Sequence, residues 1–132
     1  MSETQIKIFL NNHKNLFIDA TFFSASESTQ LLIIRANDDY SKNYYTIVFS
    51  IMKNKTEKLY KEIFNQIKMK INSYKTKYNI NELIVIHCDF EIGLINGVRA
   101  KFPSSKVKLC LFHFRQSIER KRKQYENLFK KK

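Results

Sequence analysis

Two aspartates in apolar surroundings are the residues of this sequence best suited to chemistry. Residues 83–86 are an aliphatic run, which is followed by His87, Cys88 and then Asp89. Asp19 lies inside a second apolar run at residues 16–21. Runs of this length are typical of buried β-strands. Carboxylates at the carboxyl ends of parallel strands are where α/β proteins commonly bind ligands. We therefore expect the two acids to form the functional centre of the chain.

The hydrophobic pattern predicts the elements that position these acids. Strands are expected at residues 16–21, 30–36, 44–52, 83–88 and 106–112, and amphipathic helices at about 55–78, 90–101 and 114 to the terminus. Residues 79–82 should break the first helix, and Pro103 should end the second. The predicted order is βββαβαβα, an α/β fold. In the weakly patterned residues 1–15, Ile6, Ile8 and Leu10 alternate as in a lead-in or edge strand.

Composition limits the classes of function. The 132 residues form one domain of net charge +12 and pI about 9.7, which indicates nucleic acid or another polyanion as partner. Residues 115–132 hold eight basic residues and two acids, half of the net charge. No signal peptide or apolar run long enough to span a membrane is visible. Two cysteines do not make a disulfide framework, so we expect a soluble intracellular protein in a reducing compartment.

Five short sequence words in this order resemble the catalytic domain of Mutator-like element (MULE) transposases, within the ribonuclease-H-like Asp-Asp-Glu superfamily. The words are Ile18-Asp19-Ala20-Thr21-Phe22, Lys55-Thr56-Glu57-Lys58-Leu59-Tyr60, Asp89-Phe90-Glu91, Phe102-Pro103 and Cys110-Leu111-Phe112-His113-Phe114. The resemblance implies a mixed five-stranded sheet in which the first and fourth strands are parallel neighbours. It divides the chain into a lead-in segment, 1–15, and a partial transposase domain, 16–132, ending in a basic helix.

The resemblance also implies a reaction and a cofactor. Asp19 and Asp89 would be catalytic ligands of Mg²⁺ or Mn²⁺ in phosphodiester cleavage and strand transfer during DNA transposition in the nucleus. Two cations about 3.5–4 Å apart activate the nucleophile and stabilise the leaving oxygen in such reactions. The family's third acid, a glutamate, lies beyond the Cys-x-x-His word, and Glu91, Glu119 and Glu126 do not match its position. We therefore expect an amino-terminal part of the catalytic core, with a two-metal site only if the third acid comes from outside this chain.

Each functional interpretation has a simpler structural alternative. Asp89 would also suit the N-cap of the helix starting at Phe90, and Asp19 would be harmless in a solvent-facing edge strand. Glu57 is either an accessory active-site acid or a first-turn acid of a helix capped by Asn54. Glu91 is either an accessory acid of the site or a charge that interacts favourably with the dipole of the following helix. Gly93 and Gly97 suggest close packing of their helix against the sheet.

The Cys-x-x-His pair and the basic helix are also open to several interpretations. Cys110 and His113 have the spacing of half a zinc site. The family resemblance implies instead that the pair helps to position DNA. The structural alternative is a buried cysteine with a histidine nearby. A basic group on the last helix suits DNA phosphates, a solvated face or nuclear import: Arg115, Arg120, Lys121, Arg122 and Lys123. The apolar face of that helix predicts self-association or fraying: Ile118, Tyr125, Leu128 and Phe129. A non-catalytic DNA-binding module and a nuclease of the same fold are the alternative functions.

Overall fold

The computed structural model of the chain describes residues 1–22, 29–74 and 83–129. Four helices and five strands follow one another in these ranges: α1 (Glu3–Asn12), β1 (Asn15–Phe22), β2 (Gln30–Asn37), β3 (Tyr44–Met52), α2 (Glu57–Ser73), β4 (Val85–Cys88), α3 (Ile92–Lys101), β5 (Lys106–Leu109) and α4 (Leu111–Phe129). From β1 onwards the order is the predicted βββαβαβα. The predicted end of the first long helix, residues 75–78, and the break at 79–82 lie outside the described residues.

The strands form one mixed sheet in the order β3-β2-β1-β4-β5. β1 pairs with β2, and β2 with β3, in antiparallel fashion, whereas β1–β4 and β4–β5 are parallel. The α/β class and the five-stranded mixed sheet are therefore confirmed. In β1 and β2 buried residues, among them Leu16, Ile18, Leu32 and Ile34, alternate with residues that are partly or fully exposed. One face of the sheet thus belongs to the core and the other does not.

The predicted strand near the amino terminus is wrong, because this segment forms helix α1. Ser2 caps the helix: its hydroxyl accepts a hydrogen bond from the Gln5 amide at 3.2 Å, and the Gln5 side chain accepts one from the Ser2 amide at 2.7 Å. Ile6, Phe9 and Leu10 share one helical face and are buried in the core. The reciprocal cap and the three- and four-residue spacing outweigh the short alternation that suggested a strand.

The last strand is shorter than predicted, and the last helix begins earlier. The apolar alternation continues to Leu111, but β4 ends at Cys88, which pairs with Leu109. Beyond that pair the Cys110 amide donates to the Cys88 carbonyl at 2.9 Å, and the Phe114 amide donates to the Cys110 carbonyl at 3.1 Å. With no partner strand left, the chain turns into α4 at once, so alternation alone overestimated the strand.

Helices α2 and α3 pack closely on each other. α2 buries Tyr60, Phe64, Ile67 and Ile71. A Cβ on Gly97 would lie 2.8 Å from the Tyr60 Cβ, and one on Gly93 would lie 2.9 Å from the Lys55 carbonyl oxygen. The glycines therefore permit close packing of α3, as predicted. The packing partner, however, is α2 with the residues just before it, and not the sheet as predicted.

The N-cap of α2 is Thr56 and not Asn54 as predicted. The Thr56 hydroxyl accepts a hydrogen bond from the Leu59 amide at 3.4 Å, and Asn54 instead accepts one from the Thr56 hydroxyl at 3.0 Å. The helix therefore begins at Glu57, two residues later than the predicted cap would place it.

Candidate functional site

Asp19 and Asp89 occupy matching positions relative to the pairing of the neighbouring strands β1 and β4. In the parallel pairing of β1 with β4, Phe17 is opposite His87, and the two aspartates each follow two residues later. β1 lies between β2 and β4 in the middle of the sheet, so the edge-strand explanation of Asp19 is wrong. Both aspartates are partly exposed. Asp19 thus lies within β1, two residues beyond its last pair with β4, and Asp89 directly follows β4, so both carboxylates are near water just beyond the parallel pairing.

Asp89 is not the N-cap of the following helix, as the structural alternative held. That position belongs to Glu91, whose side chain makes no capping hydrogen bond. The Asp89 carboxylate instead accepts a hydrogen bond from the Phe90 amide at 2.6 Å. Its Oδ1 also lies 3.7 Å from His113 Nδ1, a distance that suits an ion pair with a protonated imidazole but is too long for a hydrogen bond.

A groove of ≈ 490 Å³ lies on the partly exposed face of the sheet, beside Asp19. A row of four side chains crosses it from strand to strand, since Phe17 pairs with both Arg35 and His87, and His87 pairs with Lys108. The Phe17 and His87 rings are stacked with centroids 4.3 Å apart. Burial, assisted by Lys108, lowers the pKa of His87, so the ring is neutral near pH 7 and the row carries its positive charge at its two ends.

Cys110 and His113 both line this groove, one at the end of β5 and the other in the first turn of α4. His113 Nδ1 is buried without a hydrogen-bond partner among the described residues. Within residues 1–22, 29–74 and 83–129, no three histidine, cysteine, aspartate or glutamate side chains come close enough to hold a metal ion. The zinc interpretation of this pair therefore gains no third ligand there, and the role of the pair in positioning DNA stays a prediction.

Glu91 belongs to a partly buried polar cluster that contacts β1 and the segment after β4. Its carboxylate accepts a hydrogen bond from the Tyr60 hydroxyl at 2.7 Å and forms an ion pair with Lys55 Nζ at 2.9 Å. Lys55 Nζ also donates to the Ala20 carbonyl oxygen at 3.4 Å. Sequence reasoning assigned no function to Lys55 and Tyr60. The only available signal was their place in the second transposase-like word, and nothing local links either residue to Glu91.

Glu57, the other predicted accessory acid, joins α2 to α3. Its carboxylate pairs with Lys61 and accepts a hydrogen bond from the Asn96 amide group at 3.1 Å. The hydrogen bond from Lys61, followed by that from Asn96, lowers the pKa of Glu57. The carboxylate is therefore ionised at neutral pH and engaged within the helix pair.

The basic residues of α4 differ in their surroundings. Arg122 is bound by two acids of its own helix, at 2.6 Å and 2.9 Å to Glu119 and through a second ion pair to Glu126. Arg120 donates to Gln116 at 3.1 Å. Arg115, Lys121 and Lys123 are exposed. On the apolar positions, Ile118 is 52% and Tyr125 61% exposed, and the side chains of Leu128 and Phe129 lie outside the described part; self-association stays a prediction.

Comparison with known protein families now identifies the domain. The family model of the MULE transposase domain matches residues 15–117, which include both aspartates and the Cys110–His113 pair. The chain belongs to the MULE transposase family. No curated protein matches the chain. Family membership implies a transposase-related function on DNA, and no helix of the described MULE domain is long and apolar enough to cross a membrane.

Proposed function

We propose that this MULE domain processes DNA by Mg²⁺-dependent phosphodiester cleavage, followed by strand transfer, with Asp19 and Asp89 as the metal-binding residues. The observation that carries the proposal is the position of the two carboxylates, in matching register on neighbouring strands just beyond the parallel β1–β4 pairing of a transposase domain. The strand order β3-β2-β1-β4-β5, antiparallel on one side of β1 and parallel on the other, supports a ribonuclease-H-like fold as part of the same proposal.

The residues present suit a hard divalent cation. Mg²⁺ in proteins is commonly held by one or two carboxylates, with water and substrate phosphate oxygens as the other ligands. Asp19 and Asp89 supply two carboxylates, both accessible from solvent. Bound Mg²⁺ would neutralise charge on the scissile phosphate and lower the pKa of a bound water. A second metal ion is proposed only with a third acid supplied from outside this chain.

Basic side chains in the groove beside Asp19 and on α4 suit the substrate. Arg35 and Lys108 stand at the two ends of the groove row, and Lys121 and Lys123 are exposed on α4. We propose that these groups contact backbone phosphates, which supply most of the sequence-independent affinity of proteins for DNA. Because short basic runs such as residues 120–123 also serve in nuclear import, the proposal includes a nuclear site of action.

Metal binding tests the proposal first. Mn²⁺ titration followed by electron paramagnetic resonance should give a dissociation constant for the wild-type chain that rises at least about tenfold in Asp19→Asn and in Asp89→Asn, since each variant removes a charged ligand. Asp39→Asn is the matched control, because Asp39 is exposed in the β2–β3 loop. Equal affinity in all four proteins, or no Mn²⁺ binding by the wild type, would refute the proposed site.

Activity on supercoiled plasmid separates the proposal from its alternatives. Metal-dependent nicks together with joined DNA products support the transposase function, and nicks without joining support a nuclease. DNA binding with no cleavage at any metal concentration supports a non-catalytic module, the alternative favoured by the net charge of +12. Each product is distinguished on one agarose gel with end-labelled donor DNA.

A further inference from the structure

We propose that Lys55, Tyr60 and Glu91, here called the positioning cluster, hold the segments around Asp19 and Asp89 at the separation that metal binding requires. The inference deepens the proposed function and rests on it. None of the three residues is placed to bind the metal itself. Their effect would be on where the two aspartates stand.

The contacts of the cluster reach both segments. Lys55 Nζ donates at 3.4 Å to the carbonyl oxygen of Ala20, the residue after Asp19. The same ammonium group pairs at 2.9 Å with Glu91, two residues after Asp89. One cation therefore connects β1, at the residue after Asp19, to the segment that follows β4. The distance between the two aspartates depends on that connection as well as on the strand pairing.

Tyr60 fixes the other side of the Glu91 carboxylate. Its hydroxyl donates to Glu91 Oε1 at 2.7 Å, while Lys55 pairs with Oε2. The Tyr60 side chain is fully buried. Burial above all, with the hydrogen bond to Glu91 and the nearby charge of Asp89, raises the pKa of Tyr60, so the hydroxyl remains a donor throughout the working pH range. Both oxygens of Glu91 are thus held from different directions.

The two glycines of α3 bring that helix onto the same residues. Gly93 lets α3 approach the Lys55 backbone oxygen, and Gly97 lets it approach the Tyr60 Cβ. A side chain at either position would push α3, which begins directly after Glu91, away from the residues that hold that carboxylate. The close helix packing and the polar cluster therefore act on the same geometry.

Burial makes the cluster stiffer than a surface ion pair. The Lys55 and Glu91 side chains are only 24% and 18% exposed. Exposed ion pairs are screened and flexible, whereas partly buried, hydrogen-bonded pairs have few alternative arrangements. Groups that orient metal ligands from behind typically change metal affinity by about 10- to 100-fold when they are mutated. The positioning cluster has the contacts and burial expected of such groups.

Glu57 provides a matched control within the same helix pair. It also joins α2 to α3, but its hydrogen bond to Asn96 and its ion pair with Lys61 stay within the two helices. A purely structural role for interhelical polar contacts predicts similar effects of Glu57→Gln and Glu91→Gln. A positioning role predicts an effect on metal binding from Glu91→Gln alone.

Mn²⁺ affinity of the full chain, measured alongside the urea unfolding midpoint, tests the cluster. We expect Lys55→Met and Glu91→Gln to weaken Mn²⁺ binding by about tenfold, Tyr60→Phe by less, and Glu57→Gln by less than about twofold. Lys55→Arg keeps the cation and should retain most of the affinity. Unchanged Mn²⁺ affinity in Lys55→Met and Glu91→Gln, or an equal loss in Glu57→Gln, would overturn the inference.

Hydrogen exchange without metal separates this inference from the proposed function. In Glu91→Gln the backbone amides of residues 19–21 and 89–91 should exchange faster than in the wild type, while amides of β2 and β3 keep their rates. In Glu57→Gln both segments should keep wild-type rates. Failure of the wild type to bind Mn²⁺ refutes the proposed function, whereas unchanged exchange in both segments in Glu91→Gln refutes the positioning cluster whatever the metal result.

Discussion

At the scale of single residues, the two cysteines differ in environment although they are neighbours across two strands. Burial, with the charge of Asp89, raises the pKa of Cys88 to about 11, and its side chain is fully buried. Cys110 lines the groove and is partly exposed. Because the thiolate is the reactive form, Cys88 should be almost inert at neutral pH.

Modification by a thiol reagent at pH 7.5 should therefore show one fast and one slow cysteine. We expect Cys110→Ser to remove the fast phase and Cys88→Ser to leave it intact. The raised pKa of Cys88 also means that the folded state holds this proton more tightly than the unfolded state. Its contribution to stability is complete below about pH 9 and is lost as pH rises towards 11. A fast phase that survives in Cys110→Ser would contradict the assigned environments.

Residue types predicted the aspartate pair but not what surrounds it. The sequence indicated Asp19 and Asp89 because burying a carboxylate in an apolar strand costs free energy unless the group is paired or binds a ligand. The Lys55–Glu91 contact was invisible, because the two residues are distant in the chain and each has an ordinary local explanation at a helix start. Only the packing of α3 on α2, made possible by Gly93 and Gly97, brings them together.

At the scale of secondary structure elements, the α2–α3 contact has no room for an added methyl group. Replacing Gly97 by alanine should improve helix propensity by about 1 kcal/mol, but its Cβ would lie 2.8 Å from the Tyr60 Cβ. Overpacking of this kind costs about 1–3 kcal/mol, and the neighbour here is the stem of a buried aromatic side chain. We expect a net loss of stability in urea unfolding.

The control is Arg99→Ala, at an exposed position of the same helix, which should change stability by less than about 0.5 kcal/mol. A Gly97→Ala variant that is more stable than the wild type would contradict the close packing of α2 and α3.

The type of an element was predictable where the hydrophobic pattern extended over many residues, and the prediction was unreliable where the pattern covered only a few. The amphipathic pattern over residues 55–78 predicted the helix that is α2, whereas three alternating residues near the amino terminus suggested a strand that is in fact α1. Ser2 and Gln5 have the spacing of a capping box, which indicates a helix start more strongly than three alternating residues indicate a strand. The length of β5 was not decidable locally, because a strand ends where its partner does.

At the scale of the whole molecule, the excess positive charge is the property most directly connected to DNA. The net charge of +12 predicts affinity for phosphates but not which side chains make contact. The structure narrows the choice on α4, because Arg122 is already paired with Glu119 and Glu126. Lys121 and Lys123 are exposed on the same helix. With Arg115, which is also exposed, these two lysines are the strongest candidates there for contact with DNA.

Salt dependence of DNA binding tests this assignment. Each phosphate contact contributes about 0.9 to the slope of log affinity against log salt concentration. Because residues two apart on a helix point to different sides, the double variant Lys121→Gln, Lys123→Gln should reduce the slope on duplex DNA by about 1 to 2. The double variant Lys58→Gln, Lys70→Gln removes the same charge from exposed positions of α2 and controls for net charge. It should lower affinity slightly at low salt and leave the slope nearly unchanged, because long-range attraction without contact releases no counterions. Equal reductions in both double variants, measured by fluorescence anisotropy from 50 to 200 mM salt, would mean that DNA binding follows the total charge of the domain and not a surface on α4.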